Sequence, residues 1–109
     1  MREVSKPWGN FKQFILNEKA TVKILEVNPN GVLSLQKHKK RNEMWYFLTP
    51  GWVEIGSKIR QVKRGETIKI KKMQAHRLFA KKDRVQVLEI SSGYFDEKDI
   101  IRLEDKYGR

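Results

Sequence analysis

Two histidines occur in this chain of 109 residues, His38 and His76. His38 lies in the stretch LSLQKHKKRNEMW (Leu33 to Trp45), two residues after Gln36 and five before Glu43. Side chains alternate along a strand, so Gln36 and His38 share a face if this stretch is extended. The polar run Lys39 to Asn42 suits a turn, and Glu43 then begins a returning strand. Gln36, His38 and Glu43 on one hairpin, completed by His76 from a distant strand, make an N/O donor set inside a barrel. Neutral imidazoles and a carboxylate suit zinc, manganese, iron, cobalt or nickel, and residue types alone do not choose among them. A lone histidine more often satisfies backbone groups in a core or at a surface. Pairing and spacing favour the metal here.

The elements that would hold these residues are short strands separated by turn signals, the pattern of an all-β sandwich or barrel. Strands are expected at Ala20–Val27, Val32–His38, Glu43–Leu48, Thr67–Ile70, His76–Phe79 and Arg84–Ser91. Trp52–Ile55 and Lys58–Val62 form a hairpin about Gly56-Ser57. Asn28-Pro29-Asn30-Gly31, Thr49-Pro50-Gly51 and Lys81-Lys82-Asp83 punctuate them, since Pro fixes φ and Asn-Gly tolerates positive φ. In Thr67–Ile70 the isoleucines alternate with lysine, which predicts one buried face. Beyond Gly93 the chain is highly charged. A helical turn starting near Asp96 is expected, since acids favour a helix N-terminus; a frayed tail is the alternative. Tyr94, Phe95 and Tyr107 argue that parts of this segment pack.

The length allows one domain, residues 1–109. Cysteine is absent, which excludes disulfides. No window approaches the roughly 18–20 apolar residues of a membrane span. The opening MREVSKPWG lacks the apolar core of a signal peptide, so a cytoplasmic location is expected. Lys plus Arg number 24 against 13 acids, a formal charge of +11. That balance attracts polyanions or phosphorylated small molecules, or reflects the charged surface of a heat-adapted protein. Aromatics do not interleave with the basic residues in any nucleic-acid motif, so nucleic acid is a minor expectation.

Four segments carry a family resemblance. KPWGNFKQF (Lys6 to Phe14), LSLQKHKKRNEMW, GETIKIKKMQAHRL (Gly65 to Leu78) and IIRLEDKYGR (Ile100 to Arg109) stand in order along nearly the whole chain. Together they resemble a cupin of the type II mannose-6-phosphate isomerase family, like the C-terminal domain of bifunctional mannose-1-phosphate guanylyltransferase/mannose-6-phosphate isomerases. The resemblance implies a small double-stranded β-helix, a jelly-roll barrel with a short irregular or helical C-terminal segment. It places a divalent metal, zinc first, on Gln36, His38, Glu43 and His76. The implied reaction interconverts mannose 6-phosphate and fructose 6-phosphate through an enediol, whose negative oxygen a metal would stabilise.

Arg41 matches the motif arginine and would polarise the sugar or pair with Glu43. Lys37, Lys39 and Lys40 are candidates for the base, given a depressed pKa. Arg102 and Arg109 are candidates for the phosphate end, since guanidinium binds phosphate bidentately. Lys72 is a lesser candidate there, and Tyr107 would bind substrate or anchor the tail. Trp8 and Trp45 are expected in the core. The second cupin motif departs from the family: Lys71 replaces proline, Met73 glycine and Ala80 asparagine. A missing glycine at 73 would alter the turn that aims His76. Met44 replaces a histidine beside Glu43, as core or pocket wall. The alternative is a non-catalytic cupin that binds a sugar phosphate or nucleotide sugar, with a separate nucleotidyltransferase as partner. A homodimer is expected, since a small barrel leaves apolar surface to bury.

Overall fold

The structure is a computed structural model and describes residues 1–108. Arg109, a candidate for the phosphate end, lies outside the described residues. Among the described residues eleven strands form: β1 (Arg2–Lys6), β2 (Gly9–Gln13), β3 (Ala20–Val27), β4 (Leu35–Lys37), β5 (Arg41–Phe47), β6 (Gly51–Ile55), β7 (Lys58–Val62), β8 (Thr67–Ile70), β9 (His76–Phe79), β10 (Val85–Gly93) and β11 (Ile101–Glu104). No helix occurs among the described residues, so none is long and apolar enough to cross a membrane.

From β3 onward the strands build two antiparallel sheets, ordered β3-β10-β5-β8 and β11-β4-β9-β6-β7. The chain passes from one sheet to the other at nearly every connection; only the β6–β7 hairpin stays within a sheet. This winding is the double-stranded β-helix that the resemblance implies. Alternation sets what each sheet turns inward. On β5, Arg41, Glu43, Trp45 and Phe47 are buried while Asn42 is exposed and Met44 and Tyr46 are half-buried. Trp45, Phe47, Val53, Val62, Ile70, Leu78, Val85 and Val87 fill the space between the sheets. Each large side chain so buried contributes about 1.5–3 kcal/mol.

The structure departs from the sequence expectations at five places. Lys6 to Phe14 is not only a motif: β1 and β2 pair from Arg2↔Gln13 to Lys6↔Gly9 about a turn at Pro7-Trp8. Trp8 is 73% exposed at that tip and is not core, whereas Trp45 is. The strand expected at Val32–His38 is interrupted. Val32 bridges Phe79, and regular pairing resumes only at Leu35. The turn is shorter than Lys39–Asn42, because Arg41 and Asn42 already pair with Gly93 and Ser92. No helical turn starts at Asp96. Its carboxylate accepts from Lys98 N at 2.9 Å and its carbonyl from Asp99 N at 2.9 Å, making a tight turn. The apolar residues after that turn then enter a strand, β11, along the free edge of β4. Arg77 fastens it from outside, within 3.2 Å of both Glu54 on β6 and Glu104 on β11.

Candidate metal centre

His38 follows the last residue of β4, Glu43 is the third residue of β5, and His76 opens β9. The winding brings these three to one end of the barrel, under the segments 38–40, 71–75 and 94–100. Donor atoms of all three lie within 4.8 Å of one another, and all three residues are buried. His76 Nε2 is 3.3 Å from Glu43 Oε1, and His38 Nε2 is 3.8 Å from Glu43 Oε2.

The tautomers follow from the backbone. His38 Nδ1 lies 2.7 Å from the Asp99 carbonyl, and His76 Nδ1 lies 2.8 Å from the Gln74 carbonyl. A carbonyl oxygen only accepts, so each Nδ1 carries a proton, which makes Nε2 the lone-pair nitrogen of the neutral ring. Fixing a metal-ligating histidine by a hydrogen bond from its other nitrogen is the usual second support of such sites. Glu43 Oε1 and His76 Nε2 are both buried and without a hydrogen-bond partner. A positive charge between or upon these facing atoms, a proton on His76 Nε2 or a cation in its place, is what such a buried pair requires. A divalent cation fits this donor set.

Protonation points the same way. Burial pushes the Glu43 carboxyl up, but His76, with His38 and Arg41 behind it, outweighs burial and holds it below the ordinary range. Burial drives the His38 imidazole down, and Arg41 and His76 add to this against the Asp99 carbonyl and Glu43. A deprotonated carboxylate and a neutral imidazole are the forms a metal requires.

Gln36 stands directly opposite His76 on the paired strand, so the two share the inner face. Ser34 Oγ lies 3.4 Å from Gln36 Oε1. The turn that aims His76 survives the loss of glycine at 73, because Met73 itself takes φ 65°. Met73 N donates to the His38 carbonyl at 2.7 Å, tying the two histidine-bearing loops together. Lys71 N donates to Gln74 Oε1 at 3.1 Å and closes the same turn.

Arg41 is buried against the triad. Its Nε donates to Glu43 Oε2 at 3.2 Å, one terminal nitrogen lies 3.3 Å from His38 Nε2, and the other donates to the Asp96 carbonyl at 3.2 Å. The guanidinium lies over the Phe95 ring, 4.5 Å from its centroid. The segment 94–100 therefore covers the site. The Asp99 carboxylate pins it by accepting from Lys39 N at 3.0 Å and Lys40 N at 2.9 Å.

The other candidates are placed as follows. Lys37 alternates with Gln36 and so projects from the opposite face of β4. Lys39 and Lys40 are exposed and meet Asp99 through main-chain N–H groups, while Lys40 Nζ lies 5.4 Å from the Tyr94 ring centroid. No lysine side chain is brought to the triad by these contacts. Lys72 is exposed, and its main-chain N–H donates to Asn42 Oδ1 at 3.0 Å. Arg102 is opposite Gln36 on edge strand β11, so Arg102, Gln36 and His76 form one row from rim to site. Tyr107 is at the far end of the barrel, where its Oη accepts from Val32 N at 3.2 Å and anchors the tail. Met44 is half-buried on the outer face of β5.

Sequence reasoning missed Asp99, Ser91 and Glu89. Ser91 Oγ is 3.4 Å from Glu43 Oε2, and Trp45 Nε1 donates to Glu89 Oε2 at 3.2 Å. A signal for two of them was present: Val85, Val87, Glu89 and Ser91 alternate onto one face, two polar residues on an otherwise apolar inner side. Burial pushes the Glu89 carboxyl up, and repulsion from Glu43 adds to this against Trp45, Lys23 and Arg41.

ManC of Salmonella typhimurium, a mannose-1-phosphate guanylyltransferase, is 34% identical over 111 residues, which cover 99% of this chain and 23% of that protein. The alginate biosynthesis protein AlgA of Pseudomonas aeruginosa is 34% identical over 110 residues, 98% of this chain and 23% of that protein. The chain thus spans about a quarter of the length of the curated relatives it matches. A Klebsiella pneumoniae protein with a double-stranded β-helix domain superimposes with TM-score 0.69 at 12% identity, covering 84% of this chain and 80% of that one. A cupin 2 conserved barrel protein from Rhodopseudomonas palustris gives TM-score 0.67 at 20% identity, covering 81% and 61%. These two share the fold. Residues 1–105 match the family described as mannose-6-phosphate isomerase C-terminal, and with its cupin barrel and buried His/Glu triad the chain belongs to that family.

Proposed function

We propose that this protein is a metal-dependent aldose–ketose isomerase that interconverts mannose 6-phosphate and fructose 6-phosphate. The observation that carries the reading is the convergence of donor atoms of two histidines and a carboxylate on one buried point of a barrel of this family. His38 Nε2, Glu43 and His76 Nε2 would hold the ion, with Gln36 beside them for a fourth position; zinc is the ion proposed. Bound there, it supplies Lewis-acid stabilisation for the enediolate oxygen. Arg102, in the row that runs from the rim through Gln36, is the residue proposed for the phosphate. Glu89 is the buried carboxyl left free of the ligand set. It lies diagonal to Glu43 across β10 and β5, and we assign it the proton transfer between C1 and C2.

The test is turnover of mannose 6-phosphate in a coupled assay. Activity that disappears with a chelator and returns with a divalent ion supports the reading; metal-replete protein without turnover ends it. Calorimetric binding of the sugar phosphate without turnover would favour the second reading, a non-catalytic cupin binding a sugar phosphate or nucleotide sugar alongside a separate nucleotidyltransferase. One observation favours that alternative: Arg41, Phe95 and Asp99 close over the triad, so substrate reaches it only if segment 94–100 moves. We propose a homodimer that buries Val22 and Ile24, both exposed on the outer face of edge strand β3. A cytoplasmic location, where sugar phosphates are made and used, completes the proposal.

A further inference from the structure

We propose that Arg41 competes with the metal for its own ligands, so that loading the ion and releasing the guanidinium are one exchange. The inference rests on the triad being a metal site. His38 Nδ1 is committed to the Asp99 carbonyl, which leaves Nε2 with a single in-plane lone pair. Arg41 lies 3.3 Å from that atom and also donates to Glu43 Oε2 at 3.2 Å. The lone pair serves the guanidinium N–H or an ion, not both. The conflict is also one of charge. A guanidinium stays protonated at any ordinary pH, and in a buried site its repulsion of a divalent cation is poorly screened.

The released guanidinium keeps two anchors outside the ligand set. The Asp96 carbonyl, 3.2 Å from one terminal nitrogen, and the Phe95 ring both belong to the segment that covers the site. The exchange therefore moves a permanent positive charge from the ligands to the covering segment, next to the ion. There it faces whatever anionic oxygen of the sugar approaches. In this arrangement Arg41 is a positioning residue for metal loading: it satisfies the buried Glu43 charge until an ion arrives and lowers the affinity of the triad for that ion.

The experiment is a zinc titration against a chromophoric chelator, on purified full-length protein and on Arg41→Gln and Arg41→Lys. Arg41→Gln is expected to bind zinc at least tenfold more tightly than the wild type. Arg41→Lys should fall between them, because it keeps the charge but loses the fork that spans His38 and Glu43. Zinc should also raise the thermal midpoint of Arg41→Gln by more than that of the wild type. Equal or weaker binding by Arg41→Gln overturns the proposal and leaves the metal assignment standing. Zinc binding by neither protein overturns both. Should Arg41→Gln fail to fold, the Arg41 Nε–H resonance of the ¹⁵N-labelled wild type decides. It is expected to shift on saturation with zinc, and an unmoved resonance in zinc-bound protein overturns the exchange.

Discussion

Replacing Gly93 with alanine tests how the barrel end is held together. Gly93 is the last residue of β10, pairs with Arg41 and has φ +100°. A Cβ there would lie 2.6 Å from the Lys40 carbonyl oxygen, a main-chain atom that no side-chain rotation can move aside. Gly56 is the matched control, with φ +61° and nothing within 4 Å of the Cβ an alanine would add. Gly56→Ala meets only the left-handed backbone penalty, about 1 kcal/mol. Gly93→Ala adds a sparsely populated φ and a displacement of the Lys40–Arg41 backbone, together about 3 kcal/mol. At about 4 °C per kcal/mol for a domain of this size, the expected losses in Tm are about 12 °C and about 4 °C. The displacement also disturbs Asp99, which holds His38 and the 39–40 N–H groups. Zinc affinity should therefore fall in Gly93→Ala and stay unchanged in Gly56→Ala. Calorimetry and a metal titration on both variants suffice. Equal losses in Tm, or unchanged zinc affinity in Gly93→Ala, would refute the reasoning.

Three further outcomes are expected. Met73→Gly relieves a left-handed non-glycine residue at a cost in unfolded-chain entropy, and a net gain of up to about 1 kcal/mol is expected by denaturant melts; a loss of stability contradicts the account of that turn. Glu89→Gln keeps an acceptor for Trp45 and removes a carboxyl that burial and Glu43 push up, with Lys23 and Arg41 as its facing cations. A raised folded-state pKa means that the stability this group provides is present below its unfolded pKa and is lost as pH rises through the folded value. The variant should therefore gain in Tm at pH 8 relative to the wild type and gain little at pH 4, while losing turnover; an equal gain at both pH values counts against it. Lys37→Ala should leave turnover within twofold of the wild type, because that side chain leaves the opposite face of β4; a loss of a hundredfold would restore Lys37 as the base.

Much of the candidate site was legible because its donor residues are encoded by residue type and spacing. Gln36, His38 and Glu43 could be read from alternation and one turn, and the strands around them from punctuation by Gly, Pro and Asn. The supports were harder to see for a physical reason: they are main-chain groups. The carbonyls of Asp99 and Gln74 fix both imidazoles, and a carbonyl has no signature in sequence. The N-terminal hairpin escaped because nearly every residue of β1 and β2 is exposed, leaving no alternation to detect. Strand β11 forms through pairing with β4, about sixty residues earlier, so its local charge pattern suggested a helix instead. Glu89 and Ser91 were readable in principle as polar breaks in the inner face of β10.

The most direct test of the central claim is to follow isomerase turnover against zinc occupancy in the same preparation. Turnover of mannose 6-phosphate is expected to rise in proportion to bound ion and to level off at one ion per chain. Glu43→Gln, which removes the only carboxylate of the triad, should bind little zinc and show no turnover. Turnover that persists undiminished in zinc-free protein, or in Glu43→Gln, would contradict the claim.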